Sequence, residues 1–97
     1  MYAAIRQAKV KPGSAEELTR RINEEGLPII RSIRGFKAYY VVYGDDDTVT
    51  TVSVFEDQTA AEECNRRIMD FIRQQLGPML VSQPVASSGT VIVHHAG

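Results

Sequence analysis

The sequence contains no tryptophan and a single cysteine, Cys64, among its 97 residues. One thiol cannot close an internal disulfide, so nothing staples the chain covalently. An unpaired thiol suits a reducing compartment. A basic surplus is missing too: 11 Lys+Arg stand against 12 Asp+Glu, a formal net charge of -1. Nucleic-acid binders carry such a surplus to displace counterions from phosphates, so no nucleic-acid partner is expected. No apolar run approaches the ~20 residues that span a bilayer. Arg6 and Lys9 interrupt the opening MYAAIRQAKVK, which argues against a secretory signal. The expectation is a cytoplasmic protein with no membrane partner. Metal ligands are not grouped at zinc spacing, and Asp45-Asp46-Asp47 lacks the alternate acidic positions and distal Glu of a calcium loop. That acidic run reads as a solvated turn, and no metal is expected.

What is present is the composition of a globular domain, 43% hydrophobic and 24% charged. The length accommodates one domain, residues 1–97. A chain of this size buries roughly 60–68% of its unfolded surface, a thin core that often gains burial by oligomerising.

Residues 2–10, YAAIRQAKV, have no helix cap and end at Lys11-Pro12-Gly13, which predicts a first strand. Ser14 opens a helix, with Glu17 as its expected capping-box partner. Ala15, Leu18, Ile22, Gly26, Ile29 and Ile33 follow on one helix face, and Pro28 predicts a kink or restart near Gly26–Pro28. FKAYYVVY (36–43) and TVTTVSVFE (48–56) flank the turn Gly44–Asp47 as a β-hairpin. Asp57 or Thr59 caps a second helix whose inner face is expected to carry Ala61, Cys64, Ile68, Phe71, Ile72 and Gln75, and Gly77-Pro78 stops it. A last strand is expected near 85–95. The order βαββαβ predicts an α+β, ferredoxin-like fold: an antiparallel four-stranded sheet with two helices on one face.

Two helices cover only one face of such a sheet. Alternation puts Phe36, Ala38, Tyr40 and Val42 on one side of the second strand, and Tyr39, Val41 and Tyr43 on the other. Neither side is polar. A sheet apolar on both faces predicts a homodimer, with a second copy shielding the uncovered face.

Three segments carry a family resemblance: KVKPGSAEEL after the first strand, RGFKAYYVV opening the second, and SVFEDQTAAEECN leading into the second helix. Together with the βαββαβ order, the chain resembles the antibiotic-biosynthesis-monooxygenase-like family of dimeric α/β barrels over nearly its whole length. The resemblance implies a homodimer with a pocket between each sheet and its helices. It implies cofactor-independent oxygenation of a small aromatic or quinone-like molecule, beside the alternative of a non-catalytic binding or accessory dimer. The haem-degrading branch of the family uses an Asn/Trp/His set, which a chain without tryptophan cannot supply.

Five residues stand out as site candidates. Tyr39 and Tyr40 point to opposite faces, and whichever faces the helices can offer a hydroxyl to a phenol or quinone oxygen; strands also favour tyrosine as plain filler. Tyr40 is taken as the catalytic hydrogen-bonder and Tyr39 as a substrate contact. Asn65 falls inside the apolar arc of the second helix, where its amide needs a partner, either a strand side chain or a ligand. Arg6 is a charge among Ala4, Ile5 and Ala8, suited to an acidic substrate or to rim pairing across a dimer. His94 is a candidate base, since imidazole titrates near neutrality. Adjacent His94 and His95 point to opposite faces of a strand and cannot share one metal. Arg34-Gly35-Phe36 partly mimics an RNA-recognition motif but lies on the second strand instead of the third.

Overall fold

The computed structural model describes residues 1–97. Strands β1 (Tyr2–Lys9), β2 (Phe36–Tyr43), β3 (Thr48–Phe55) and β4 (Val85–Thr90) form one antiparallel sheet in the order β2-β3-β1-β4. Helices lie on a single face of it, as the βαββαβ order predicts. The first helical stretch runs as α1 (Ala15–Arg21), a wide π turn (Ile22–Gly26) and α2 (Leu27–Arg31). The restart expected at Pro28 thus takes the form of a π segment ahead of the proline, keeping Leu18, Ile22 and Ile30 on the buried side. The second, α3 (Gln58–Phe71), continues through a π turn (Ile72–Leu76) into a short 3₁₀ turn (Gly77–Met79). Gln75, expected on its inner face, is exposed.

Of the expected caps, Asp57 is formed: its carboxylate accepts from the Ala60 amide at 2.9 Å. Ser14 makes no side-chain cap bond. Its supposed partner Glu17 accepts instead from Arg20 and Arg21, and those hydrogen bonds hold the Glu17 carboxyl below the usual range. The final strand is shorter than expected. It ends at Thr90, and residues 91–97 have no regular structure, leaving Ile92 90% exposed.

Pairing register fixes the faces. Ala4, Arg6 and Ala8 lie under the helices, opposite Ser53, Thr51 and Val49. Tyr39 pairs with Ser53, placing it on the same covered side, while Tyr40 pairs with Val52 on the open side. The register shifts between Phe36 and Ala38, so Phe36 leaves the alternating set read from the sequence. It turns to the helix side and meets the Phe55 ring edge-on at 6.0 Å. Gly35, at φ +89°, makes the turn into β2, and its carbonyl accepts from the Glu56 amide.

The core divides in two. Ala4, Ile30, Ile33, Phe55, Ala61, Cys64 and Ile68 make one cluster, with Phe36 and Tyr2 against it. Val10, Leu18, Ile22, Val49, Phe71 and Leu76 make the other. Ile29, Tyr39 and Ile72 touch both. The open face is apolar without cover: Ile5, Tyr40, Val42 and Val85 are all exposed there. No helix is long and apolar enough to cross a membrane.

Candidate functional site

Arg6 comes from the middle of β1, where strand alternation directs it beneath α3, and only 2% of it is exposed. A buried guanidinium must have its donors satisfied or it is strongly destabilising. Nε donates to Thr51 Oγ1 at 2.9 Å, and Nη2 donates to Ser53 Oγ at 2.6 Å. Nη1 donates to Asn65 Oδ1 at 3.1 Å and to Cys64 Sγ at 3.4 Å. Asn65 Nδ2 in turn donates to the Ser87 carbonyl at 3.0 Å, which sets the amide so that its oxygen faces the arginine. The two hydroxyls belong to β3 and the amide to α3, so sheet and helix meet around one charge.

No acceptor in this set is a carboxylate. The ion pairs of the structure, such as Arg20–Glu17 and Lys37–Glu56, are on the surface, and none includes Arg6. Tyr39 lies beside Arg6 and Thr51. Burial pushes its hydroxyl pKa up, against the lowering pull of the Arg6 charge. The phenol therefore stays protonated at neutral pH, a donor rather than a counter-ion.

Beside this group a cleft opens within the second core cluster. Arg6, Thr51 and Tyr39 supply its polar end, and Leu18, Ile22, Phe71, Ile72 and Leu76 its apolar walls. The exposed Gln7 and the half-buried Leu80 and Pro84 lie at its rim. It is a narrow slot, with an empty space of about 500 Å³ counted out to its open mouth. Apolar walls with a few convergent polar groups are the usual build of a small-molecule site.

The candidates divide accordingly. Arg6, Asn65 and Tyr39 are brought together, with Arg6 and Tyr39 on the slot itself. Arg6 is not at a rim and pairs with no carboxylate, contrary to the expectation of rim pairing; the hydrogen-bond partners on β3 and α3 draw it inside. Tyr40 is 58% exposed on the open face, and His94 is exposed in the tail after β4. Neither lines the slot. Thr51 and Ser53 were missed by the sequence reading, although two hydroxyls amid the covered face of TVTTVSVF are the readable sign of a polar group opposite. No His, Asp, Glu or Cys lines the slot, and no three such side chains are grouped to hold a metal. The slot thus sets apolar walls against a few hydrogen-bond donors.

Residues 1–66 match the model of a family described as antibiotic biosynthesis monooxygenase. No curated protein matches the chain. Among solved structures, a protein of unknown function from Nitrosomonas europaea is 16% identical with a TM-score of 0.79, over 99% of this chain and 93% of its own. A monooxygenase from Streptomyces coelicolor, in complex with nanaomycin D, is 17% identical with a TM-score of 0.74, over 99% and 91%. A variant of MhuD with two manganese protoporphyrin IX molecules bound per active site is 15% identical with a TM-score of 0.77, over 100% of both chains. At such identities the likeness to these structures is one of fold.

Proposed function

Because the chain belongs to the antibiotic biosynthesis monooxygenase family, we propose that it is a homodimeric, cofactor-independent monooxygenase-like protein of the cytoplasm whose slot takes a small aromatic or quinone-like molecule. The observation that carries this reading is the slot itself, an apolar cleft that Arg6 and Tyr39 also line. Aromatic surface is bound by the walls of Phe71, Ile72 and Leu76, and a ring oxygen by the polar end. The ligand of the Streptomyces neighbour, nanaomycin D, supports that substrate class by analogy. The homodimer is supported by the uncovered apolar sheet face around Ile5, Tyr40, Val42 and Val85. We give Tyr40 to that interface and assign neither it nor His94 a catalytic role. The buried free thiol of Cys64 suits a reducing cytoplasm.

A second reading has its own support. The slot holds no histidine or carboxylate to act as a general base, which favours a dimer that binds its ligand without turning it over. Oxygen uptake with a panel of polycyclic phenols and hydroquinones, set beside direct binding of the same compounds, separates the two. Ligand-dependent oxygen uptake supports the oxygenase, and saturable binding without uptake supports the binding protein. If no compound in the panel binds, both readings are wrong.

A further inference from the structure

Arg6 is a cation in the interior whose hydrogen-bond partners are a threonine, a serine, an asparagine and a thiol. A guanidinium has five N–H donors in a fixed fork, and four are engaged: one on Nε, two on Nη1 and one on Nη2. The remaining hydrogen is on Nη2, and the Tyr39 hydroxyl lies within hydrogen-bonding reach of the guanidinium. Burying a cation without an opposite charge is costly, and removing one member of a buried pair is strongly destabilising for this reason. Here the partners, none of them a carboxylate, hold the charge in place at the polar end of the slot but do not neutralise it. The titratable groups against it are Cys64 and Tyr39, and the phenol of Tyr39 stays protonated.

We infer that the missing negative charge belongs to the ligand, so that Arg6 makes the slot selective for an anion, with one charged oxygen seated between the remaining Nη2 hydrogen and the Tyr39 hydroxyl. The inference rests on the reading of the slot as an aromatic or quinone site and adds the charge of the molecule it takes. The geometry also limits the form of the anion. With Nε and Nη1 already engaged, the fork cannot grip a carboxylate through two parallel bonds. A phenolate or enolate oxygen, which offers one atom, suits one guanidinium hydrogen and one phenolic hydrogen. A ligand taken from its neutral form gives its proton to bulk water at the mouth, and no group in the slot needs to keep it.

The test compares 2-hydroxy-1,4-naphthoquinone, ionised at neutral pH, with 2-methoxy-1,4-naphthoquinone, which cannot ionise, and with 1-naphthoate. Dissociation constants come from calorimetry on the full chain. The hydroxyquinone anion should bind at least tenfold tighter than the methyl ether, and naphthoate more weakly than the hydroxyquinone. Arg6→Met should remove the preference, weakening the anion at least tenfold more than the ether. Should Arg6→Met fail to fold, Asn65→Asp serves, since it sets a carboxylate against the guanidinium; it should cut binding of the anion and spare the ether. Cys64→Ser should keep the preference, because a serine accepts the same hydrogen bond without a charge. A preference that rises tenfold in Cys64→Ser would make the sulfur the counter-ion and overturn the inference. Equal binding of hydroxyquinone and ether overturns it too, while leaving the slot as an aromatic site. Naphthoate binding as tightly as the hydroxyquinone overturns the one-oxygen geometry. Failure of all three to bind overturns both this inference and the reading beneath it.

Discussion

Arg6 Nη1 donates to Asn65 Oδ1 at 3.1 Å, and with the bond to Cys64 that contact ties the central strand β1 to α3. Asn65 is held from its other end by the Ser87 carbonyl, so the amide cannot swing to solvent without breaking two bonds. Strand, helix and edge strand are thereby locked at one point, and the slot inherits its polar end from that lock.

Replacing Asn65 with leucine, close to it in shape, tests how much the lock contributes. One guanidinium donor loses its oxygen acceptor in the interior, a loss of about 1–3 kcal/mol. At roughly 4–8 °C per kcal/mol for a domain of this size, the melting temperature should fall by about 4–24 °C. Thermal denaturation followed by circular dichroism reads this directly. A variant as stable as the wild type would mean that the amide contributes nothing to the arginine's burial.

The element order was legible because the periodicities are strong: Leu18, Ile22 and Ile29 at helical spacing, and Val and Thr massed in β3; the fully buried Ile30 falls outside that stripe. Asn65 was legible as well, since a helical wheel needs only its neighbours. Arg6 was not, because a charge on a strand is ordinarily at a rim, and its acceptors Thr51 and Ser53 lie more than forty residues away. The choice between Tyr39 and Tyr40 was equally hidden. Both sides of β2 are apolar, and only the register against β3, with its shift after Phe36, decides which tyrosine goes under the helices. The tail VIVHH reads as strand from its β-branched residues, yet β4 ends at Thr90.

The uncovered sheet face makes its own prediction. Val42 is 57% exposed on an apolar surface that also holds Ile5, Tyr40 and Val85. Light scattering should give the wild type twice the chain mass. Val42→Asp should shift it toward the monomer, since an aspartate buried between two copies has no partner to offset its lost hydration. A monomeric wild type at micromolar concentration would refute the dimer.

Alkaline titration should separate the tyrosines. Burial raises the Tyr39 pKa from its ordinary 10.0, the Arg6 charge opposing it in part. Tyr43 is raised mainly because its hydroxyl donates to Asp47 at 2.7 Å, a bond that needs the proton. A group whose folded pKa is raised contributes stability that is whole below the unfolded value and is lost as pH climbs through the folded one. Stability should therefore hold up to about pH 10 and fall beyond it. Tyr39→Phe should flatten that fall more than Tyr43→Phe, because Tyr43 is at the surface, where solvent screens the effect. Melting curves from pH 8 to 11 on the three proteins decide, and identical alkaline slopes would remove Tyr39 from the account.

Gly26 offers a way to narrow the slot without touching its polar end. It closes the π turn ahead of α2, and a Cβ placed there would stand 3.2 Å from Phe71 Cε2. Alanine gains about 1 kcal/mol in helix propensity over glycine, while an extra methyl in a packed interior typically costs about 1–3 kcal/mol. The two nearly cancel if the phenylalanine ring can yield, and Phe71 borders the slot, where space is free. Gly26→Ala should therefore change stability by only about 1 kcal/mol while the displaced ring occupies ligand space. Affinity for a naphthoquinone should drop severalfold, for the charged and the neutral compound alike, because the wall has moved and Arg6 has not. Unchanged affinity for both, with a melting temperature close to the wild type's, would show that these ligands bind somewhere other than the slot that Phe71 borders.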